Sequence, residues 1–340
     1  MRKLGIFLLG AFVSCAVAIG GAKGMETKVT KAAPQEQIVY VGGMSAGFTV
    51  KTGGAQVIGT CEVITESGAR APALDAGLRA GDVIYKVEGI SIESITQLNE
   101  IVNKSNGKTL SIEFERGEER QTKQIQPIKD KLTGRYKIGV LIRDSVSGIG
   151  TVTYIDKKSG RFGSLGHSVT GENKKEMQVC GGEVYECSIV GINKGIRGKA
   201  GELKGMFLND KCFGTAEKLC NCGIFGQISK DFNTDGLKTA VASSADAKPG
   251  NAYIYSTING NLPKRYEIEI VKVDKSNREN KNYVLKIKDE KLIDETGGIV
   301  QGMSGSPILQ DGKLVGAITH VFLNDPTRGY GIEIGKMLQE

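Results

Sequence analysis

Apolar and polar positions alternate in short blocks along most of the chain, and few stretches hold a helical period. The first block predicts a strand at 38–41 (IVYV), a small-residue loop at 42–47 (GGMSAG) and a second strand entry at 48–50 (FTV). Residues 57–63 predict another strand, and 76–84 (AGLRAGDVI) a short helix, a glycine stop and a return to strand. Ser94 followed by Gln97 forms a capping box ahead of Leu98, Ile101 and Val102, the apolar stripe of a helix. Leu110, Ile112 and Phe114 alternate as a strand does, and Arg116-Gly117-Glu118 turns the chain back. From 137 onward the texture is β-rich, with strands expected at 140–142, 150–155, 184–192, 252–257, 266–273 and 283–287, and a short helix at 335–340. The chain is expected to be mainly β.

Composition agrees with that pattern. The 340 residues include 47 glycines and only 7 prolines, which suits short strands joined by tight turns. A hydrophobic share of 39% with 24% charge excludes a disordered tail protein and a polytopic membrane protein. The net charge of +7 is scattered, with no basic cluster interleaved with aromatics, so nucleic acid is excluded as a partner. Met1-Arg2-Lys3 precedes an uncharged run to residue 22 that contains Ala16-Val17-Ala18, the anatomy of an export signal or an uncleaved anchor. A flexible stalk is expected at 23–37. Of seven cysteines, five lie between 180 and 222; Cys220-x-Cys222 lacks the spacing of a zinc knuckle, so disulfides or buried thiols are expected and no metal or cofactor.

Residues 38–128 resemble a PDZ domain. Ser45, Ala46, Gly47 and Phe48 match its carboxylate-binding loop, and DAGLRAGDVIYKVEG matches the segment before its binding helix. The resemblance implies a partly open β-barrel with two helices that captures a peptide ligand by strand addition.

The sharpest chemical signal is GMSGSP at 302–307, which resembles the G-x-S-G-x-P box of chymotrypsin-like serine peptidases. A sharp turn there would present Ser304 Oγ outward and aim the N–H groups of Gly302 and Ser304 at one oxyanion. After it, an Asp311-Gly312 turn between apolar runs predicts a hairpin. The chain holds two histidines. His167 is the expected base, whereas His320, on the returning hairpin strand, is expected as a wall or hydrogen-bond partner. Spacing does not choose the third member of a triad among Asp210, Asp231, Asp235, Asp246, Asp289 and Asp294.

The stretches IRDSVSGIGTVTYIDKKSGRFGSLGH, GIFG at 223–226 and GGIVQGMSGSPILQDGKLVGAITHVFLNDPTRGYGI resemble the stage IV sporulation protein B peptidase family, over about 137–340. That resemblance implies a chymotrypsin-like double β-barrel with catalytic residues in the order His167, Asp289, Ser304, with Asp294 as the local rival for the acid. It implies export from the forespore into the space between its membranes and processing of the chain by itself. It also implies cleavage of a membrane-bound regulator of an intramembrane protease that activates a late sigma factor. The rival expectations are a catalytically silent PDZ scaffold and a general envelope quality-control protease.

Overall fold

The computed structural model describes residues 37–169 and 181–340, apart from the side chains of residues 52, 209 and 210. The expected export segment, nearly all of the stalk, Cys15 and Cys180 lie outside the described residues. No helix among the described residues is long and apolar enough to cross a membrane.

Two six-stranded antiparallel barrels form the larger part of the fold. In the first, the N-terminal part of Ser45–Thr60 pairs with Val140–Asp156 on one side and Gly182–Asn193 on the other. Glu202–Cys220, Gly223–Ile228 and Arg161–Leu165 complete the ring. Its interior holds Phe48, Val50, Phe162, Val184, Phe213 and Ile224. The second barrel runs through Gly250–Ser256, Lys264–Val273, Tyr283–Ile287, Asp325–Glu333, Lys313–Phe322 and Pro307–Gln310. The alternation that predicts 266–273 as a strand places Tyr266, Ile268 and Ile270 inside it. Gln37–Val41 ties the barrels together, pairing with Val140–Asp156 and with Thr239–Ala242, which meets the second barrel at Leu314. Val39, Tyr154, Phe225, Leu314 and Met337 pack in the seam.

The unit that resembles a PDZ domain is an insertion in the first barrel. Residues 37–51 belong to the barrels, so the expected PDZ start at 38 moves to about 55 and the unit runs on to about 143. Ser45–Thr60 leaves the first barrel, pairs with Val83–Val87 through Ala55 and Gln56, and the chain re-enters the barrel along Val140–Asp156. The physical reason is burial. Phe48 and Val50 are 3% and 2% exposed in the barrel interior, a gain of about 3–6 kcal/mol for the pair. The PDZ core is separate and contains Ile84, Leu98, Val102, Ile112 and Phe114. Ser94 caps its helix Ile95–Lys104 as the sequence predicts, accepting from the Gln97 N–H, whereas the Gln97 side chain reaches one residue further back than in a capping box and accepts from the Glu93 N–H. The other expected helix is shorter and earlier, at Pro72–Asp75.

Candidate active site

Ser304 sits on a turn pinned from both barrels. Thr151 N donates to Ser304 O at 2.9 Å, and the Thr151 hydroxyl donates to Gly302 O at 2.8 Å. Thr153 Oγ1 reaches Gly305 O at 2.8 Å, while Gly305 N donates to Ile318 O and Ser306 N to Met303 O. Gly305 has φ +94°, and a Cβ there would stand 2.1 Å from Thr151 O. Only glycine fits that approach. The consequence is a half-buried Ser304 whose hydroxyl donates to Thr319 O at 2.7 Å. Among the described residues, nothing accepts from the N–H of Gly302 or of Ser304. Two free, adjacent donors beside a hydroxyl are what an oxyanion site requires.

His167 arrives from the other barrel. At the end of Arg161–Leu165, Leu165 (φ +68°) and Gly166 (φ +73°) both take the left-handed conformation. That is a costly backbone for leucine, and it turns the chain so that His167 faces the cavity. The Nδ1 of His167 lies 2.7 Å from Ser168 O. A carbonyl only accepts, so Nδ1 carries the proton and Nε2 is left with a free lone pair. Burial pushes the His167 pKa below its ordinary value, against the smaller opposing effect of the Ser168 carbonyl. The imidazole is therefore neutral at neutral pH, as a general base must be.

Ser304, His167 and His320 line one cavity of about 570 Å³, together with Phe48, Val300 and Leu323. The His167 and His320 rings are 4.9 Å apart, centre to centre. Burial, followed by the proximity of His167 and of Lys281, lowers the His320 pKa to about 4. One face of His320 is exposed to water, which limits that effect. His320 therefore lines the site beside His167.

Asp289 is elsewhere. It is the N-cap of helix Glu290–Thr296, where its carboxylate accepts from Leu292 N at 2.9 Å and Glu267 N at 3.4 Å. The structure does not bring it to His167, and no carboxylate among the described residues lines the cavity. Asp294 is exposed on the same helix.

Ser45, Ala46, Gly47 and Phe48 form no ligand loop. Ala46, Gly47 and Phe48 are paired on one side with Gly150, Ile149 and Gly148, and on the other with Glu186, Tyr185 and Val184. No strand edge remains there for a peptide. Ser45 is 4% exposed and donates to Cys187 O at 2.9 Å. Gly47 is required by packing, because a Cβ would stand 2.4 Å from the Phe207 ring. The PDZ unit has its own groove instead, a cavity of about 450 Å³ between Val63–Thr65 and Ile95–Lys104 that Val63, Ile64, Leu98, Val102 and Tyr136 line.

Sequence reasoning missed Thr151, Thr153 and Ser168. The first two left a signal, threonines two apart on one strand face; Ser168 acts through its backbone and left none.

Comparison with known proteins finds similarity to two families. The SpoIVB peptidase S55 family matches residues 134–338, and the PDZ family matches residues 63–116. The zinc metalloprotease RasP of Shouchella clausii is 33% identical over 119 residues, 32% of this chain; the chain spans only 28% of that protein's length. Among solved structures, the PDZ domain of an SdrC-like protein from Listeria monocytogenes is 24% identical, with a TM-score of 0.22, covering 27% of this chain and 90% of that one. The Rv3671c protease of Mycobacterium tuberculosis in its inactive form is 14% identical, with a TM-score of 0.33, covering 56% of this chain and 81% of that one. With a PDZ unit inserted into a double barrel of six strands each, this chain belongs to the SpoIVB peptidase S55 family.

Proposed function

We propose that Ser304 is the nucleophile and His167 the general base of an acyl-transfer mechanism on a peptide bond. The observation that carries this is the convergence of Ser304, His167 and two unpaired N–H groups on one cavity. Ser304 Oγ is parked on Thr319 O, so rotation about χ1 toward Nε2 precedes attack. Nε2 then takes the hydroxyl proton as Oγ bonds to the scissile carbonyl carbon. The N–H groups of Gly302 and Ser304 hold the oxyanion, His167 returns the proton to the leaving amine, and water hydrolyses the acyl-enzyme. In this arrangement the Ser168 carbonyl holds the imidazole. Asp289, the acid that the family resemblance implies, acts as a helix cap.

Family membership supports a signalling role in sporulation: export into the space between the forespore membranes, processing of the chain by itself, and cleavage of a membrane-bound regulator. Peptide capture by the PDZ unit would use the groove beside Ile95–Lys104. The test is incubation of the purified chain and its Ser304→Ala form, each alone, with fragments read by intact mass. Shortening of the wild type only is expected. Equal shortening of both, or of neither, contradicts self-processing through Ser304.

A further inference from the structure

One cluster takes no part in the peptidase site. Cys220 ends the strand Glu202–Cys220, Cys222 precedes Gly223–Ile228, and Asn221–Cys222 is the tight turn between them. The hairpin tip docks where the chain returns from the second barrel. There the Sγ atoms of Cys220 and Cys222 and a carboxylate oxygen of Glu340 lie within 4.8 Å of one another. The two thiols are free.

We propose that Cys220, Cys222 and Glu340 form a binding site for a thiolate-preferring divalent cation, of which zinc is the type. Two sulfurs and one carboxylate oxygen are a donor set for such an ion, with water in the fourth position. Around a tetrahedral ion with metal–sulfur bonds of about 2.3 Å, sulfurs stand about 3.8 Å apart. The observed sulfur spacing exceeds that by about an ångström at most.

Three further features suit a metal. The Cys222 N–H donates to Cys220 Sγ at 3.3 Å, and Asn280 Nδ2 approaches Cys222 Sγ at 3.6 Å while bonding to Asn221 O at 2.9 Å. Such N–H donors are the outer partners that orient thiolate ligands. Asn280 is 7% exposed and held at φ +59°, an uncommon backbone that points its amide at the turn. Lys218 is paired with Glu340 at 2.5 Å. The Lys218 ammonium and a divalent ion together offset the charge of two thiolates and the Glu340 side-chain carboxylate. On loading, the two thiol protons leave to solvent.

The consequence is a staple. The hairpin belongs to the first barrel, whereas Asn280 and Glu340 lie on the chain of the second. The ion would tie together the two bodies that carry His167 and Ser304.

The full chain, reduced and stripped of metal with a chelator, is titrated with Cd²⁺ and followed by thiolate-to-metal ultraviolet absorption; the thermal midpoint is measured with and without Zn²⁺. One equivalent should bind and Zn²⁺ should raise the midpoint. Cys220→Ser should abolish the absorption and the shift, while Cys61→Ser and Cys212→Ser, at exposed thiols, should change neither. Glu340→Gln, which leaves the buried turn intact, should weaken binding by at least about tenfold. Absorption that survives Cys220→Ser, wild-type affinity in Glu340→Gln, or a Cys220–Cys222 disulfide in the isolated protein that leaves no site for Cd²⁺ would each overturn the proposal.

Discussion

The chain contains two runs that begin with the same three residues, GMSAGF at 43–48 and GMSGSP at 302–307, and they meet opposite ends. Both flank one residue: Thr151 pairs with Ser45 in the barrel ladder and donates its N–H to Ser304 O. Both serine hydroxyls donate to carbonyls, Ser45 to Cys187 O and Ser304 to Thr319 O. The difference lies in the next residues. Ala46 and Phe48 continue a strand whose two edges are filled, so Ser45 is sealed at 4% exposure. Gly305, at φ +94°, breaks away from strand geometry and leaves Ser304 facing a cavity. The two serines differ in the backbone that follows them: a paired strand seals Ser45, whereas the left-handed Gly305 leaves Ser304 open to the cavity.

The sharpest way to break this contrast is to mutate both serines. Ser304→Ala should lower kcat/KM for a peptide substrate by about 10⁴-fold or more. Ser45→Ala should leave it within about twofold while costing about 1–3 kcal/mol of stability in denaturant unfolding, because Cys187 O loses its donor. The following glycine is next. Gly305→Ala meets Thr151 O and an unsuitable φ, so a cost of about 1–3 kcal/mol of strain and a large fall in kcat are expected. Ala46→Gly should cost about 0.5–1 kcal/mol and spare activity.

Thr151→Val separates the two roles of the shared residue. Its backbone pairing with Ser45 survives, but Gly302 O loses its hydroxyl donor; kcat should fall about tenfold, the equivalent of about 1.4 kcal/mol at the transition state. Asp289 tests how the base is held. As a cap, Asp289→Ala should cost about 1 kcal/mol, and Asp289→Asn, an equally good cap, should restore both stability and rate. A triad acid would not be rescued by asparagine.

The smallest effect is in pH. Burial disfavours the His167 imidazolium, so the neutral base persists below the ordinary histidine range and the acid limb of kcat/KM should fall below pH 6.5. For His320 the folded pKa of about 4 is below the unfolded value of about 6.5. The unfolded chain therefore takes up the proton first as pH falls. Stability should be full above pH 6.5 and decline from there toward pH 4, and His320→Asn should flatten part of that decline in thermal scans across this window.

Local signals in the sequence were good guides where the structure is local. The Ser94 cap, the 307–318 hairpin and the turn at 302–305 follow from residues a few positions apart. The PDZ insertion is different: Phe48-x-Val50 has the same alternation in either domain, and only pairing with residues 145–151 and 182–186 decides it. The His167 orientation depends on a leucine in the left-handed region and on a backbone carbonyl, neither of which has a residue code. Cys220-x-Cys222 looked incomplete because its third neighbour, Glu340, is remote in sequence.

The most direct test of the account is a fluorophosphonate probe, with the labelled residue located by peptide mass. A single adduct on Ser304, lost in His167→Ala and retained in Ser45→Ala, is the predicted result. No adduct on Ser304, or an adduct that survives His167→Ala at the wild-type rate, would contradict it.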